Sequence, residues 1–285
     1  MYNYKINKFA HLLRTYGTCI GIDVNSKGDY RTRFDRKLWD ILLKKVTPTG
    51  RNVLGIASTD SHNLDIVDSG YVLALMPEKT SAALKKSLES GQFFAASKYI
   101  GNYDELVQLY EEVCVIKSLE ASRVAGKLSE AIENIAAQIE NGKQKDQYKV
   151  EDGTVAPKVT NIIVDNTADS FSTMENRGII AITVTAENAL TVHWIADGKV
   201  IHVGSRIDLN DHSDEIGSYV RAEVFGAGGI LYVEPFLLSY DGAPAPEDEG
   251  HFYDFGTIAS LICDTPVRIL EIILPLGLIF KLAGK

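Results

Sequence analysis

Along the first hundred residues, short apolar runs alternate with segments that have a helical period. The apolar runs are bounded by turn residues, which is typical of buried strands. The other segments place their apolar residues on one helical face. The predicted strands are residues 18–24, 53–58, 71–76 and 93–96, and the predicted helices are residues 36–45 and 81–90. This alternation predicts a parallel α/β sheet or barrel, in which ligand sites gather where strands end.

The pattern changes twice in the rest of the chain. Residues 103–141 carry apolar positions at helical spacing among Glu, Ala and Lys, which predicts one or two long amphipathic helices. The polar stretch 143–152 is the expected linker. Residues 159–240 contain short runs rich in Val, Ile, Thr and aromatic residues, and Asp197-Gly198 predicts a hairpin between two of them. Regular strand spacing without helices predicts a small Ig-like β-sandwich.

These patterns predict a fold that is α/β in its first part and all-β in its second. The predicted segments are a partial α/β barrel, a helical connector, a β-sandwich, and a linker with an apolar tail, at residues 1–102, 103–142, 155–240 and 241–285. The tail proper, residues 266–285, contains charged residues and a Pro and a Gly that would break a helix. We expect it to dock on its own protein or on a partner subunit in an oligomer, with contact to a membrane surface as the other interpretation.

Composition and charge narrow the classes of function and compartment. The net charge of −9 argues against a nucleic-acid-binding protein, because phosphate contacts need clustered Lys and Arg. Cys19, Cys114 and Cys263 form no CxxC pair, which favours a reducing compartment. The first residues lack the features of a signal peptide, and no uninterrupted apolar run is long enough for a transmembrane segment. We therefore expect a cytoplasmic protein.

Asp60 and His62 are the first candidates for chemistry, because they directly follow the predicted strand 53–58. Asp supplies a hard oxygen and His a borderline nitrogen, a mixture suited to Zn, Mn or Fe. The two side chains can face one pocket if Ser61 points away from it. The same triplet is also typical of a polar turn with a surface His, so its spacing alone leaves both interpretations open.

The wider stretch resembles the polymerase-and-histidinol-phosphatase (PHP) family of metal-dependent phosphoesterases. The family's last metal motif follows a strand in a pattern like G-I-A-S-x-D-x-H, and three further segments match in the expected order. The matching segments are residues 55–62 (GIASTDSH), 21–25 (GIDVN), 38–43 (LWDILL) and 80–97 (TSAALKKSLESGQFFAAS). The β-rich segment 159–240 also resembles the sandwich that follows the barrel in some members, and residues 217–236 are its most similar part.

The resemblance implies a distorted (β/α) barrel and a cluster of divalent metal ions. Asp60 would ligate one ion and His62 another, and a hydroxide between the ions would attack a small phosphorylated substrate. Asn25 is either a residue that shapes this site or a turn-former after a strand. His11 lies roughly where the family carries its penultimate metal His, although Leu12 stands where the family usually has Pro.

The earlier metal motifs of the family, an H-x-H, a Glu and further histidines, have no counterpart in this sequence. Two or three ligands cannot hold a polynuclear cluster. The first hypothesis is therefore a metal-dependent phosphoesterase with an incomplete site, as expected for the C-terminal part of a longer protein. The alternative is a non-catalytic interaction or scaffold module with a vestigial PHP platform.

The remaining histidines and acidic residues have simpler interpretations. His193 and His202 flank the predicted hairpin, and His212 lies in the same β-rich segment. With no carboxylate–histidine pattern around them, they are expected to be strand residues facing solvent. The acidic positions of 104–112 are expected to form a solvated helix face.

Overall fold

The computed structural model describes residues 3–25, 34–62, 64, 67–101, 103–142, 148–166, 180–240 and 242–247. The helices are α1 Asn3–Thr15, α2 Asp35–Val46, α3 Ser81–Glu89, α4 Tyr103–Cys114 and α5 Leu119–Glu140, with short 3-10 turns at Thr47–Thr49 and Leu209–His212. The strands are β1 Gly21–Asn25, β2 Leu54–Ala57, β3 Gly70–Ala74, β4 Phe93–Ser97, β5 Tyr99–Ile100, β6 Tyr148–Lys149, β7 Lys158–Asn166, β8 Ile180–Glu187, β9 Thr191–Ala196, β10 Lys199–Val203, β11 Arg206–Asp208, β12 Tyr219–Gly226, β13 Gly229–Val233 and β14 Phe236–Leu237. This content confirms a mixed α/β protein with several antiparallel sheets.

The largest sheet has seven strands in the order β10-β9-β12-β13-β4-β3, with β14 paired to β12. Every pair in it is antiparallel, including β13 with β4, where Ile230 lies opposite Ser97. A second antiparallel sheet has the order β11-β8-β7, and β1 with β2 forms a separate parallel pair. Strands from the predicted α/β segment (1–102) and from the predicted β-sandwich segment (155–240) therefore belong to one sheet. The predicted segment bounds at 102, 142, 155 and 240 stay predictions.

The predicted parallel sheet is wrong for β3 and β4. A helix between two strands is typical of a parallel crossover. Here α3 lies within a long hairpin instead, so β4 runs back alongside β3 in the opposite direction. Leu75 donates its backbone N–H to the Gln92 carbonyl at 2.9 Å, and Ala74 lies opposite Phe93. Within the described ranges, β1 and β2 are the only strands that pair in parallel.

Both faces of the large sheet are buried at its central strands. On β13, Ile230 and Tyr232 pack against α1 and α2, whereas Leu231 and Val233 pack towards β8 and β11. This alternation follows from the two-residue period of a strand. The molecule therefore stacks α1, α2 and the β1–β2 pair on one face of the sheet and the β11-β8-β7 sheet on the other. Burial on both faces explains why β13 (GILYV) is a continuous apolar run.

The predicted hairpin at Asp197-Gly198 is confirmed. It joins β9 and β10, and Lys199 lies opposite Ala196 in the register. Both turn residues have positive φ, 48° at Asp197 and 77° at Gly198. A two-residue turn with positive φ at both positions matches the twist of the flanking strands, which is why Asp-Gly is favoured there.

The helical region 103–141 forms two helices, α4 and α5. Leu106 and Leu109 of α4 pack with Leu128 and Ile135 of α5 in a third buried cluster. The Ser118 side chain caps α5 by accepting the Ala121 backbone N–H at 3.0 Å. The single long helix is excluded because the chain turns between Cys114 and the cap.

We expect Ser118→Ala to lower the free energy of unfolding by about 1 kcal/mol, because it removes an acceptor from the first turn of α5. Urea denaturation followed by circular dichroism measures the change. Ser118→Asp is the matched control, since it retains a capping oxygen and should stay within about 0.5 kcal/mol of the parent protein. Equal losses in both variants would contradict the capping role.

Within the part of the chain that the structure describes, no helix is both long enough and apolar enough to cross a membrane. The apolar tail, residues 266–285, and the linker that precedes it from residue 248 lie outside the described residues, as do residues 143–147 of the expected linker. The predicted docking of the tail stays a prediction.

Candidate functional site

The carboxyl ends of β1 and β2 form one polar edge because the two strands are parallel. Asp23 of β1 lies opposite Ile56 of β2. Its carboxylate accepts a hydrogen bond from the Ser58 hydroxyl and one from the Asn25 backbone N–H, the latter at 3.2 Å. The chain then bends at Asp60, which has a positive φ of 45°. The polar residues that follow β2 are thus placed beside the carboxylate of β1.

Asp60 and His62 lie next to each other on the surface. His62 Nδ1 is 2.7 Å from the Asp60 carbonyl oxygen and 4.0 Å from Asp60 Oδ1. The His62 side chain is 82% exposed and that of Asp60 43% exposed. A carbonyl oxygen can only accept, so Nδ1 carries the proton and Nε2 keeps its lone pair. In this tautomer the neutral ring can bind a metal ion through Nε2.

The electrostatics of this edge favour a cation. Burial raises the pKa of Asp23 above its usual value, while the hydrogen bonds from Ser58 and Asn25 oppose the rise. The negative charge of Asp60 adds to the rise. The two carboxylates therefore repel each other, and a positive charge bound near them would relieve that repulsion.

The donor types at this edge suit a transition metal, but the number of donors is too small. In the described ranges, no group of three or more His, Cys, Asp or Glu side chains is arranged to hold a metal ion. His11 lies in α1 and does not join Asp60 and His62 in such a group. A catalytic zinc site takes three protein ligands, so these residues alone do not make one.

Asn25 faces the interior, with an exposed fraction of 1%. Its side-chain amide donates to the Tyr99 carbonyl and to the Tyr232 hydroxyl, both at 3.1 Å. These bonds tie the end of β1 to β5 and β13. Any effect of Asn25 on Asp60 and His62 would therefore act through the position of β1.

A buried charged cluster lies between α2 and β12, and the sequence patterns did not predict it. Arg221 binds Asp40 through two hydrogen bonds, Nε to Oδ1 at 2.7 Å and Nη2 to Oδ2 at 2.8 Å. Its guanidinium lies 4.6 Å from the centre of the Trp39 ring, and Nη1 donates to Glu223 at 2.5 Å. Tyr219 also donates its hydroxyl to Asp40 at 2.9 Å. This arrangement clamps α2 onto the sheet.

The cluster continues towards α4. Arg36 pairs with Glu105 and lies 3.9 Å from Glu223. Burial would raise the pKa of Glu223, but the charges of Arg221 and Arg36 outweigh it and hold that pKa below its usual value. A cavity of about 470 Å³ borders these side chains. Because each guanidinium already faces a carboxylate, both positive charges are compensated within the protein, and the cluster holds α2 against the sheet.

The prediction that His193 faces solvent is wrong. His193 is 8% exposed, and its Nε2 lies 2.6 Å from Glu112 Oε2. Thr191 donates to the same Glu112 oxygen at 3.0 Å. Burial would raise the pKa of Glu112, but its contacts with His193 and Thr191 lower it. Glu112 therefore faces the sheet, and the predicted solvated face of α4 is also wrong at this position.

The apolar character of strand β9 is the signal that could have predicted the burial of His193. All six residues of TVHWIA are buried, as expected for a central strand that is covered on both faces. A histidine in such a strand needs a polar partner from a covering element. Its neighbours in the sequence do not identify that element.

Comparisons of the chain with protein-family models, with curated proteins and with solved structures give no match. The resemblance to PHP phosphoesterases therefore depends on the sequence segments that carry it.

Proposed function

We propose that the edge formed by Asp60 and His62 is part of a divalent-metal site for hydrolysis of a small phosphoester, as in PHP-type enzymes. The observation that carries this proposal is the 2.7 Å contact of His62 Nδ1 with the Asp60 carbonyl, which leaves Nε2 of a largely exposed ring available as a metal ligand. The Asp23 carboxylate adds negative charge nearby. On this proposal, β1 and β2 are neighbouring strands of a distorted (β/α) barrel.

The ion would be Zn, Mn or Fe, which accept this mixture of oxygen and nitrogen donors. When bound, such an ion lowers the pKa of water and neutralises charge on phosphoryl oxygens. Asp60 would hold one ion and His62 another, and Ser58 would keep Asp23 in place beside them. The missing ligands would come from residues outside the described part of the chain or from another polypeptide.

We expect the His62 ring to sense Mn²⁺ directly. Titration with Mn²⁺ should broaden the His62 Hε1 resonance, because a paramagnetic ion bound at Nε2 relaxes nearby protons. In Asp60→Ala, at least about a 10-fold higher Mn²⁺ concentration should be needed for the same broadening, because one ligand is lost. Proton NMR on the parent and the variant measures both values.

Asp68→Ala is the matched control for this titration. Asp68 is another exposed carboxylate that follows β2, and it pairs with Lys98 at 2.6 Å. Its loss should leave the broadening of His62 unchanged. Equal Mn²⁺ sensitivity of His62 in the parent and in Asp60→Ala would contradict the proposed site.

The second candidate function is a non-catalytic interaction or scaffold module. It is favoured by the small number of donors at the edge of β1 and β2 within the described ranges. On this alternative, Asp60 and His62 form a surface turn, and Mn²⁺ leaves the His62 resonance unaffected in every variant.

A further inference from the structure

A second pair of histidines lies far along the chain from the proposed site. His202 belongs to β10, and His212 ends the 3-10 turn Leu209–His212. Their ring centres are 5.4 Å apart, and the ring planes meet at 65°. Both side chains are partly exposed. Neither residue belongs to the charged cluster or contributes to the edge of β1 and β2.

The tautomer of His212 is set by a carboxylate. His212 Nδ1 lies 2.8 Å from Glu215 Oε2, and Glu215 is a largely exposed acid three residues later. The carboxylate accepts the Nδ1 proton, so Nε2 of His212 keeps its lone pair. Metal-binding histidines typically have this carboxylate partner, which orients the ring and makes the free nitrogen more basic.

The ring of His202 lies against the backbone of Gly204. A Cβ atom built on Gly204 would lie 3.2 Å from His202 Nε2. The glycine at this position, with φ of 145°, therefore avoids a tight contact between a side chain and that nitrogen.

The spacing of the two rings fits one shared metal ion. A zinc–nitrogen bond is about 2.0–2.1 Å long, and each imidazole centre lies behind its nitrogen on the same line. At a tetrahedral angle between the two bonds, the centres of two imidazoles on one zinc ion are therefore roughly 5 Å apart. The observed separation is 5.4 Å. An edge-to-face aromatic pair falls in the same distance range without any ion, so the two interpretations have to be separated by experiment.

We propose that His202 and His212 bind one divalent transition-metal ion through their ring nitrogens, with Glu215 as a positioning residue and water completing the coordination. Imidazole nitrogen is suited to Zn, Cu and Ni. With two protein ligands, the site is a surface site that exchanges its ion. This proposal is independent of the phosphoesterase proposal, because it uses no residue of the edge of β1 and β2.

The test uses Zn²⁺ as the probe and the full chain carrying Asp60→Ala and His62→Ala, which removes the other proposed site. Calorimetric titration should give one equivalent of bound Zn²⁺ in this parent. Adding His202→Ala or His212→Ala should weaken binding at least about 10-fold, and Glu215→Gln should weaken it about 10-fold although no ligand is lost. His11→Ala is the matched histidine control and should leave the affinity unchanged.

NMR supplies a second measurement that a purely structural role would not affect. In the parent of this series, Zn²⁺ should shift the Hε1 signals of His202 and His212 together and saturate at one equivalent. Unfolding curves recorded without Zn²⁺ confirm that each variant is folded. Absence of Zn²⁺ binding in the parent, or an unchanged affinity in both His202→Ala and His212→Ala, would overturn the site and leave an aromatic pair.

Discussion

Replacing Asp40 with alanine should lower the free energy of unfolding by about 3–5 kcal/mol, because it leaves the charge of Arg221 buried with too few partners. Arg221 is 2% exposed and loses two of its hydrogen bonds in this variant. Tyr219 loses the acceptor of its hydroxyl at the same time. The remaining partner, Glu223, accepts only one hydrogen bond from Arg221, at Nη1.

Urea denaturation at neutral pH measures this loss. Asp40→Asn should be intermediate, since it keeps an acceptor of the same size but removes the charge. Lys85→Ala is the surface control: Lys85 pairs with Glu89 at 3.6 Å in an exposed position, and its removal should cost less than about 1 kcal/mol. A loss below about 1 kcal/mol for Asp40→Ala would show that the clamp between α2 and β12 contributes little.

The second large effect concerns the pH dependence of stability and depends on Glu234. This residue is 8% exposed, and its Oε2 accepts the Gly55 backbone N–H at 2.8 Å. Its Oε1 is buried and has no hydrogen-bond partner among the described residues. Burial, the largest influence, raises the pKa of Glu234 well above its usual value, despite the opposing hydrogen bond from Gly55.

The sign of the effect follows from proton binding. Above the usual glutamate pKa of 4.5, the folded protein keeps the Glu234 proton that the unfolded chain has released. The stability associated with this proton is complete below the unfolded pKa and is lost as pH rises through the folded pKa. In that window the contribution of Glu234 to the free energy of unfolding falls by up to about 1.4 kcal/mol per pH unit.

Glu234→Gln should remove this contribution, because glutamine does not titrate and can still accept the Gly55 N–H. The free energy of unfolding, measured in urea between pH 5 and pH 8, should therefore fall less steeply in the variant than in the parent. Glu89→Gln is the control, since Glu89 is an exposed glutamate and should not change the slope. Parallel curves for the parent and Glu234→Gln would contradict a buried proton on Glu234.

Local elements could be predicted from the sequence, because their signals are local. The apolar period of residues 36–45 predicts α2, and the Asp-Gly pair predicts the hairpin between β9 and β10. The direction of β3 and β4 could not be predicted in the same way. A helix between two strands fits both a parallel crossover and a long hairpin, and no local residue distinguishes the two. The pairing of β4 with β13 is also hidden, because the two strands are far apart in the sequence.

The candidate sites also differ in whether their contacts are local in the sequence. Asp60 and His62 are two positions apart, so their proximity could be predicted from a strand followed by a bend. Arg221 and Asp40 are separated by 181 positions, and neither residue alone indicates an ion pair. Long-range polar contacts of this kind become visible only when the packing of helices on the sheet is known.

The pairing of β4 with β13 also has a consequence for biosynthesis. Residues 93–97 leave the ribosome well before residues 229–233, by on the order of 10 s at roughly 5–20 residues added per second. During that interval one edge of β4 has no strand to pair with. An unpaired edge of apolar residues can pair with strands of other chains, so the nascent chain carries an aggregation-prone edge until residues 229–233 have been made.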